Sequence, residues 1–374
     1  MIKIYLIFSL LILYSCGNQI SDIKTKIKTS TSIQVHKETV EKNKAYSSEK
    51  DTNNSNPGSY SLASLTAFLD SISNTDPSCL VKKVEHYQDS LFKNQKELAV
   101  ELSKADYDQL TEACRNGVMK ISSVKRIFQD YKIDSAYNQK GELPIVYHSF
   151  DNDKFTFKYY AVIPETESGF KWDCRIYFFA KNKLIAEHYV FHRYGLDLRY
   201  FKTKSGNIIF YYKQNYGSGT GIWWYNYNFY VIDNDKVIPA LNEIQEANLQ
   251  SSRNIRSYYI KSVIEKENPL TIKFTYCNEL SDIPHRQIKI LDDSTTVCYS
   301  WNNLLKQFIP EYSKSELTKN MILSYFPGDN EVLFINSHYQ LLKRLINGDD
   351  PLKKDLIFKY LNSVKGELQK KISR

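Results

Sequence analysis

The chain has no Cys-x-x-Cys pair among its six cysteines, so a zinc knuckle or a thioredoxin-like redox site has no support. It also lacks a G-x-S-x-G elbow and an H-E-x-x-H pair, the short arrangements that carry a hydrolase nucleophile or a catalytic zinc. No apolar run reaches the roughly twenty residues that a helix needs to cross a bilayer. Strands do not alternate with helices along the chain, which argues against a doubly wound nucleotide-binding sheet, and there is no internal repeat. Nothing here asks for a cofactor or a metal.

What is present is the material for a large core. Hydrophobic residues make up 42% of the 374 and aromatic residues 14%, including 29 tyrosines. That is enough for one large domain or two ordinary ones. The 50 basic residues exceed the 42 acidic ones to give a formal charge of +8, but the two signs are interspersed.

The first sixteen residues, MIKIYLIFSLLILYSC, place one positive charge at Lys3, an apolar run from Ile4 to Leu13, and then Ser15 before Cys16. Charged start, apolar middle and small-residue cleavage site form the pattern of a signal peptide, here too short to remain as a span. Leu13-Tyr14-Ser15-Cys16 resembles the lipobox of bacterial lipoprotein precursors. The resemblance covers only this leader. It implies diacylglyceryl attachment to the Cys16 thiol, cleavage between Ser15 and Cys16, and acylation of the new amino group. Several acyl chains, at about 0.8 kcal/mol per buried methylene, would anchor the chain firmly in a membrane. Gly17 stands where aspartate retains such proteins at the inner membrane, which implies the outer membrane of the cell envelope. Nucleic acid is then not an expected partner. The remaining cysteines are Cys79, Cys114, Cys174, Cys277 and Cys298. In an oxidising compartment Cys277 with Cys298 and Cys79 with Cys114 are the candidate disulfides, with five separate thiols as the alternative.

The organisation expected is a signal peptide over 1–15, a lipidated tether over 16–58, a helical subdomain over 59–144, a β-rich region over 145–300 and a helical segment over 301–374. The tether reading rests on a Lys, Ser, Thr and Asn-rich composition with few large apolar residues. Leu62, Leu65, Phe68, Leu69 and Ile72 share one helical face; a second helix is expected from Pro77 to Phe92, and a third from a capping box at Ser103 to a stop at Gly117. From about 145 the segments are rich in β-branched and aromatic residues and are separated by turn signals such as Lys181-Asn182-Lys183 and Asp233-Asn234-Asp235-Lys236. Leu304, Leu305 and Phe308, and later Leu341 to Val364, return to helical spacing, with Pro351 at a helix start. The class is therefore α+β: helices, then an antiparallel β-sheet or half-barrel, then helices.

The most distinctive segment is IWWYNYNFYVI, Ile222 to Ile232. In a strand, Trp223, Tyr225, Tyr227, Phe229 and Val231 share a core-like face, while Trp224, Asn226, Asn228 and Tyr230 share the other. Aromatic rings beside amides suit a sugar or a protein partner, unless another element covers that face. The loop Gly217-Ser218-Gly219-Thr220-Gly221 precedes a strand rather than a helix and reads as a hairpin, not a phosphate cradle. His188 and His192, in a strand, lie about 13 Å apart at roughly 3.3 Å per residue, too far for one metal. His148, His285 and His338 have no motif partner. Seven basic residues over 353–374 face Asp355 and Glu367 and read as a solvated helix face, with anionic lipid or an acidic partner as the other use. The function expected is a non-catalytic envelope lipoprotein that binds a protein partner or a glycan. Its rivals are a hydrolase of peptidoglycan or another glycan, recognisable by two carboxylates about 5 to 10 Å apart in a cleft, and a structural subunit of an outer-membrane complex.

Overall fold

The computed structural model describes residues 60–373, apart from 91–94, 130, 152–154, 166–172, 192–194, 219–222, 251–255, 268, 283–287, 313–317, 319, 322–323 and 325–330. The leader, Cys16, His192 and His285 lie outside the described residues.

Helices α1 (Leu62–Ser73), α2 (Ser78–Ser90), α3 (Lys104–Asn116), α4 (Ile121–Ile127) and α5 (Ser135–Lys140) come first, with short strands among them. Ser61 caps α1 by accepting from the Ser64 amide, and Leu65, Phe68, Leu69 and Ile72 form its buried face, as the spacing predicts. Ser103 accepts from the Asp106 amide at 3.1 Å to open α3, and Gly117 closes it at φ 72°, a conformation that glycine adopts without a Cβ penalty.

The strands form two antiparallel sheets, not a half-barrel. The six-stranded sheet has the order β1-β6-β5-β4-β3-β2, with β1 Gln95–Glu101, β2 Val118–Lys120, β3 Glu142–Ser149, β4 Tyr159–Pro164, β5 Asp173–Ala180 and β6 Lys183–Phe191. The eight-stranded sheet runs in sequence order: β7 Arg199–Lys202, β8 Ile208–Ser218, β9 Trp223–Asp233, β10 Lys236–Gln250, β11 Arg256–Glu267, β12 Leu270–Ser281, β13 Lys289–Asn302 and β14 Gln307–Pro310. Two expectations need correction. The region 59–144 is not purely helical, because β1 and β2 leave it to join the six-stranded sheet. The Leu304-Leu305-Phe308 spacing belongs to the β13–β14 hairpin, in which the two leucines sit at the turn and Phe308 points inward.

Four apolar clusters hold these layers. Helices α3 and α4 cover one face of the six-stranded sheet through Leu110, Val124, Phe128, Tyr160 and Phe179. The other face packs on the eight-stranded sheet through Phe150, Ile176, Phe178, Phe210 and Tyr230. The eight-stranded sheet bends, so that Phe229 on β9 meets Phe308 on β14 at 5.1 Å between ring centroids and Tyr227 meets Phe274 at 6.4 Å. The end of that sheet bearing Leu280 is capped by α1 with α6 (Glu331–Ser337), α7 (Tyr339–Ile346) and α8 (Pro351–Ser373). Pro351 takes the first position of α8, and Asp350 Oδ1 accepts from the Leu352 and Lys353 amides. The basic residues expected to face solvent there include Lys365, which is instead buried and donates to the Ser64 carbonyl at 3.0 Å.

Candidate functional site

The sequence places its candidate ligand face on β9, and the structure covers most of that face. Asn226, Asn228 and Tyr230 are 0%, 2% and 0% exposed, and Trp224 is half-buried against the concave cluster of the eight-stranded sheet. The cover over Tyr230 is the six-stranded sheet rather than a helix. These side chains are fastened to one another. The Asn228 amide donates to Gln214 Oε1 at 2.9 Å, and Asn226 Nδ2 donates to Asn228 Oδ1 at 3.0 Å and to Asn242 Oδ1. Tyr230 and Tyr212 share a hydroxyl contact of 3.1 Å, Gln95 donates to the Tyr230 hydroxyl, and Tyr212 lies 3.2 Å from Nδ1 of the buried His188. Burial holds the His188 imidazole down to about 3, so it stays neutral between Phe178 and Tyr230. Buried amides cost stability unless hydrogen-bonded, and this ladder supplies most of the bonds across β8, β9 and β10, with Asn226 Oδ1 left without a partner among the described residues. The ladder ties neighbouring strands together in an interior closed to solvent.

The expected disulfides are not formed. Cys277 stands opposite Ser294 and Cys298 opposite Lys273, four residues along the same strand pair. That is about 13 Å, beyond the roughly 7 Å that a disulfide spans. Both are free thiols, and so is Cys114; Cys79 is in a disulfide, but not with Cys114. Burial pushes the Cys114 thiol up to about 12 and that of Cys174 to about 11, which makes both inert packing groups.

Three other places gather polar chemistry. The first is a cavity of about 560 Å³ at the seam of the two sheets, lined by His148, Leu198, Arg199, Tyr200, Phe201, Tyr211, Ile264 and Glu265. Strand register builds it: Arg199 lies opposite Tyr211 and Phe201 opposite Ile209, so guanidinium, phenol and phenyl share the concave face. Phe201 and Tyr211 stack at 5.8 Å, burial raises the Tyr211 phenol to about 12, and burial lowers the His148 imidazole against the pull of Asp197. Arg199 also pairs with Asp197 at 2.9 Å; both are well exposed, so a ligand carboxylate can replace that partner at little cost.

The second is Glu243 on β10, whose carboxylate accepts from the Ile244 amide at 3.0 Å and from the Tyr299 hydroxyl at 3.3 Å. Tyr299 also contacts the Tyr312 hydroxyl at 3.2 Å, and burial pushes the Glu243 carboxyl up to about 7. The third is a polar recess of about 560 Å³ over α3, β2 and α4, where Glu112 and Glu142 line the same wall as Arg126. Both of these carboxylates are exposed.

Among the described histidines, His148 lines the seam cavity. His338 is buried, with Nδ1 3.0 Å from the Phe334 carbonyl. Among the described residues no three His, Cys, Asp or Glu side chains converge to hold a metal ion, and no helix is long and apolar enough to cross a membrane. Sequence reading missed Arg199, Tyr211, Glu265 and Glu243 because no short motif joins them. The alternation of Arg199 with Phe201 is the one local signal, and it gains meaning only with the β7–β8 register. No family model, curated protein or solved structure matches this chain.

Proposed function

We propose that this chain is a lipid-anchored lipoprotein of the cell envelope whose α+β body is a non-catalytic binding module for a glycan bearing carboxylates. The anchor reading rests on the run from Ile4 to Leu13 closed by Leu13-Tyr14-Ser15-Cys16. The binding reading is carried by the seam cavity, where Phe201 offers a ring beside the Tyr211 phenol, Arg199 a guanidinium and Glu265 a hydroxyl acceptor. Its volume of about 560 Å³ falls in the usual range for small-ligand sites, roughly 300 to 1,000 Å³. It replaces the β9 face as the binding surface.

Titration calorimetry with muropeptides released from peptidoglycan tests this reading, comparing the wild type with Arg199→Ala and Phe201→Ala. Both variants should weaken binding about tenfold or more, because each removes one of the cavity's two recognition chemistries. Binding that ignores both substitutions, or none at all, removes the cavity from the account.

A second reading, a hydrolase of peptidoglycan or another glycan, is favoured by one observation: Glu112 and Glu142 share a recess. Release of soluble sugar from purified sacculi, abolished by Glu142→Gln, would establish it in place of the first.

A further inference from the structure

The turns β7–β8, β9–β10, β11–β12 and β13–β14 all lie at the end of the eight-stranded sheet opposite its helical cap. One of them breaks the ordinary rule that large apolar side chains avoid hairpin turns. Leu304 is 92% exposed and Leu305 61%, the two most exposed adjacent apolar residues described.

Their display is built. Asn302 Oδ1 accepts from the Leu304 and Leu305 amides at 3.0 Å each, which fixes the turn. Asn303 Oδ1 accepts from Ser205 Oγ and Asn207 Nδ2 at 2.9 Å each, which ties the turn to the neighbouring β7–β8 hairpin. A turn held by four hydrogen bonds loses little further entropy on binding. Between the two hairpins opens a hollow of about 310 Å³, with Trp301, Leu270 and Pro269 among its walls and Lys204 at its side. The same end carries Lys202, Lys204, Lys236 and Lys306; Lys202 pairs with Asp151, and Lys306 lies 3.7 Å from Asp233. Lys204 and Lys236 make no ion pair among the described residues.

We infer that this end is a membrane-contact tip: Leu304 and Leu305 enter the interfacial layer of a bilayer while Lys204 and Lys236 meet its anionic headgroups. The shape selects a lipid surface over a protein groove. The leucines stand at a turn instead of lining a pocket, and an exposed apolar pair with Lys204 and Lys236 at the same end matches the layering of a bilayer edge, while Asp233 and Asp235, also at this end, are engaged by Lys306 and the Tyr159 hydroxyl. The geometry of anchoring permits it. Residues 17–59 separate Cys16 from the body. A coil of as many residues would span roughly 35 Å, comparable with the roughly 40 Å length of a twelve-residue strand, so the length of chain after Cys16 is enough for a body tied at its helical end to lay its far end on the same membrane. That last step rests on the lipoprotein reading; the tip itself does not.

The test therefore omits the lipid. Residues 16–374 carrying Cys16→Ser, which keep the whole described body, are floated with vesicles of phosphatidylethanolamine and phosphatidylglycerol. The Leu304→Asn/Leu305→Asn variant is run beside them. Both side chains are exposed, so the variant should keep the wild-type circular dichroism and melting curve. The unlipidated chain is expected to float, the double variant to partition at least about tenfold less, and added salt to weaken the remainder. Failure of the unlipidated chain to float, or equal flotation of the double variant, overturns the proposal. So does leucine-dependent self-association seen by light scattering without vesicles, which would assign the tip to a second copy of the chain. None of these outcomes touches acylation of Cys16, which mass measurement reads separately.

Discussion

Burial acts in opposite directions on two side chains near the middle of this molecule. It pushes the Glu243 carboxyl up to about 7 and the His188 imidazole down to about 3. Tyr299, Tyr276 and Tyr312 surround Glu243 and donate to or crowd it, and among the described residues no cation offsets its charge there. A carboxyl whose folded value lies above its ordinary 4.5 favours the fold below about pH 4.5. That contribution is lost as pH rises through about 7 and amounts to on the order of 3 kcal/mol at most. Glu243→Gln should therefore match the wild type near pH 4.5 and exceed it by about 1 to 3 kcal/mol at pH 8, read from urea midpoints. A difference of the same size at both pH values would mean that the shift is absent. His188 works the other way: its neutral form suits the fold, so stability drains away as pH falls below about 6.5 toward 3. At this scale the sequence was informative about residue types and silent about roles. Asn226 and Asn228 stood out as candidate ligand groups, yet in the structure they are buried and hydrogen-bond to each other and to Gln214.

Among the elements, the joint between β11 and the C-terminal helices rests on a buried ion pair. The Arg256 guanidinium is fully buried and donates to Glu331 on α6, which also accepts from the Tyr360 hydroxyl on α8. The Phe334 ring lies 3.5 Å below the guanidinium and the Tyr258 ring 4.6 Å from it. Removing one partner strands a buried charge, so Arg256→Met should cost about 3 to 5 kcal/mol by urea denaturation. Adding Glu331→Leu should restore most of that loss, because the pair as a whole offsets little more than its own desolvation. A double variant as unstable as the single one would show that the pair contributes stability outright. Helix α3 was legible from its cap and its terminal glycine because both are local devices. Strand β1 was not: Gln95-Lys-Glu-Leu-Ala-Val-Glu is made of good helix formers, and only pairing with β6 draws it into the sheet. Leu304 and Leu305 misled for a related reason, since helical spacing describes residues that share a face and these two share none.

For the molecule as a whole, α+β class and the antiparallel hairpins follow from periodicity and turn chemistry, but the split into two sheets does not. It depends on which strands β6 pairs with: β5 is its hairpin neighbour, but β1 joins its other edge from far away in sequence, and β7 does not. The seam cavity inherits that dependence, since β3, β7, β8 and β11 each supply part of its wall. The proposed anchor joins such a body to a membrane through Cys16. Intact mass and membrane fractionation of the expressed chain beside Cys16→Ser test that joint most directly. Loss of the first fifteen residues, added acyl mass and sedimentation with membranes, all absent from the variant, are the expected result. Identical mass processing and identical fractionation of the two chains would contradict it.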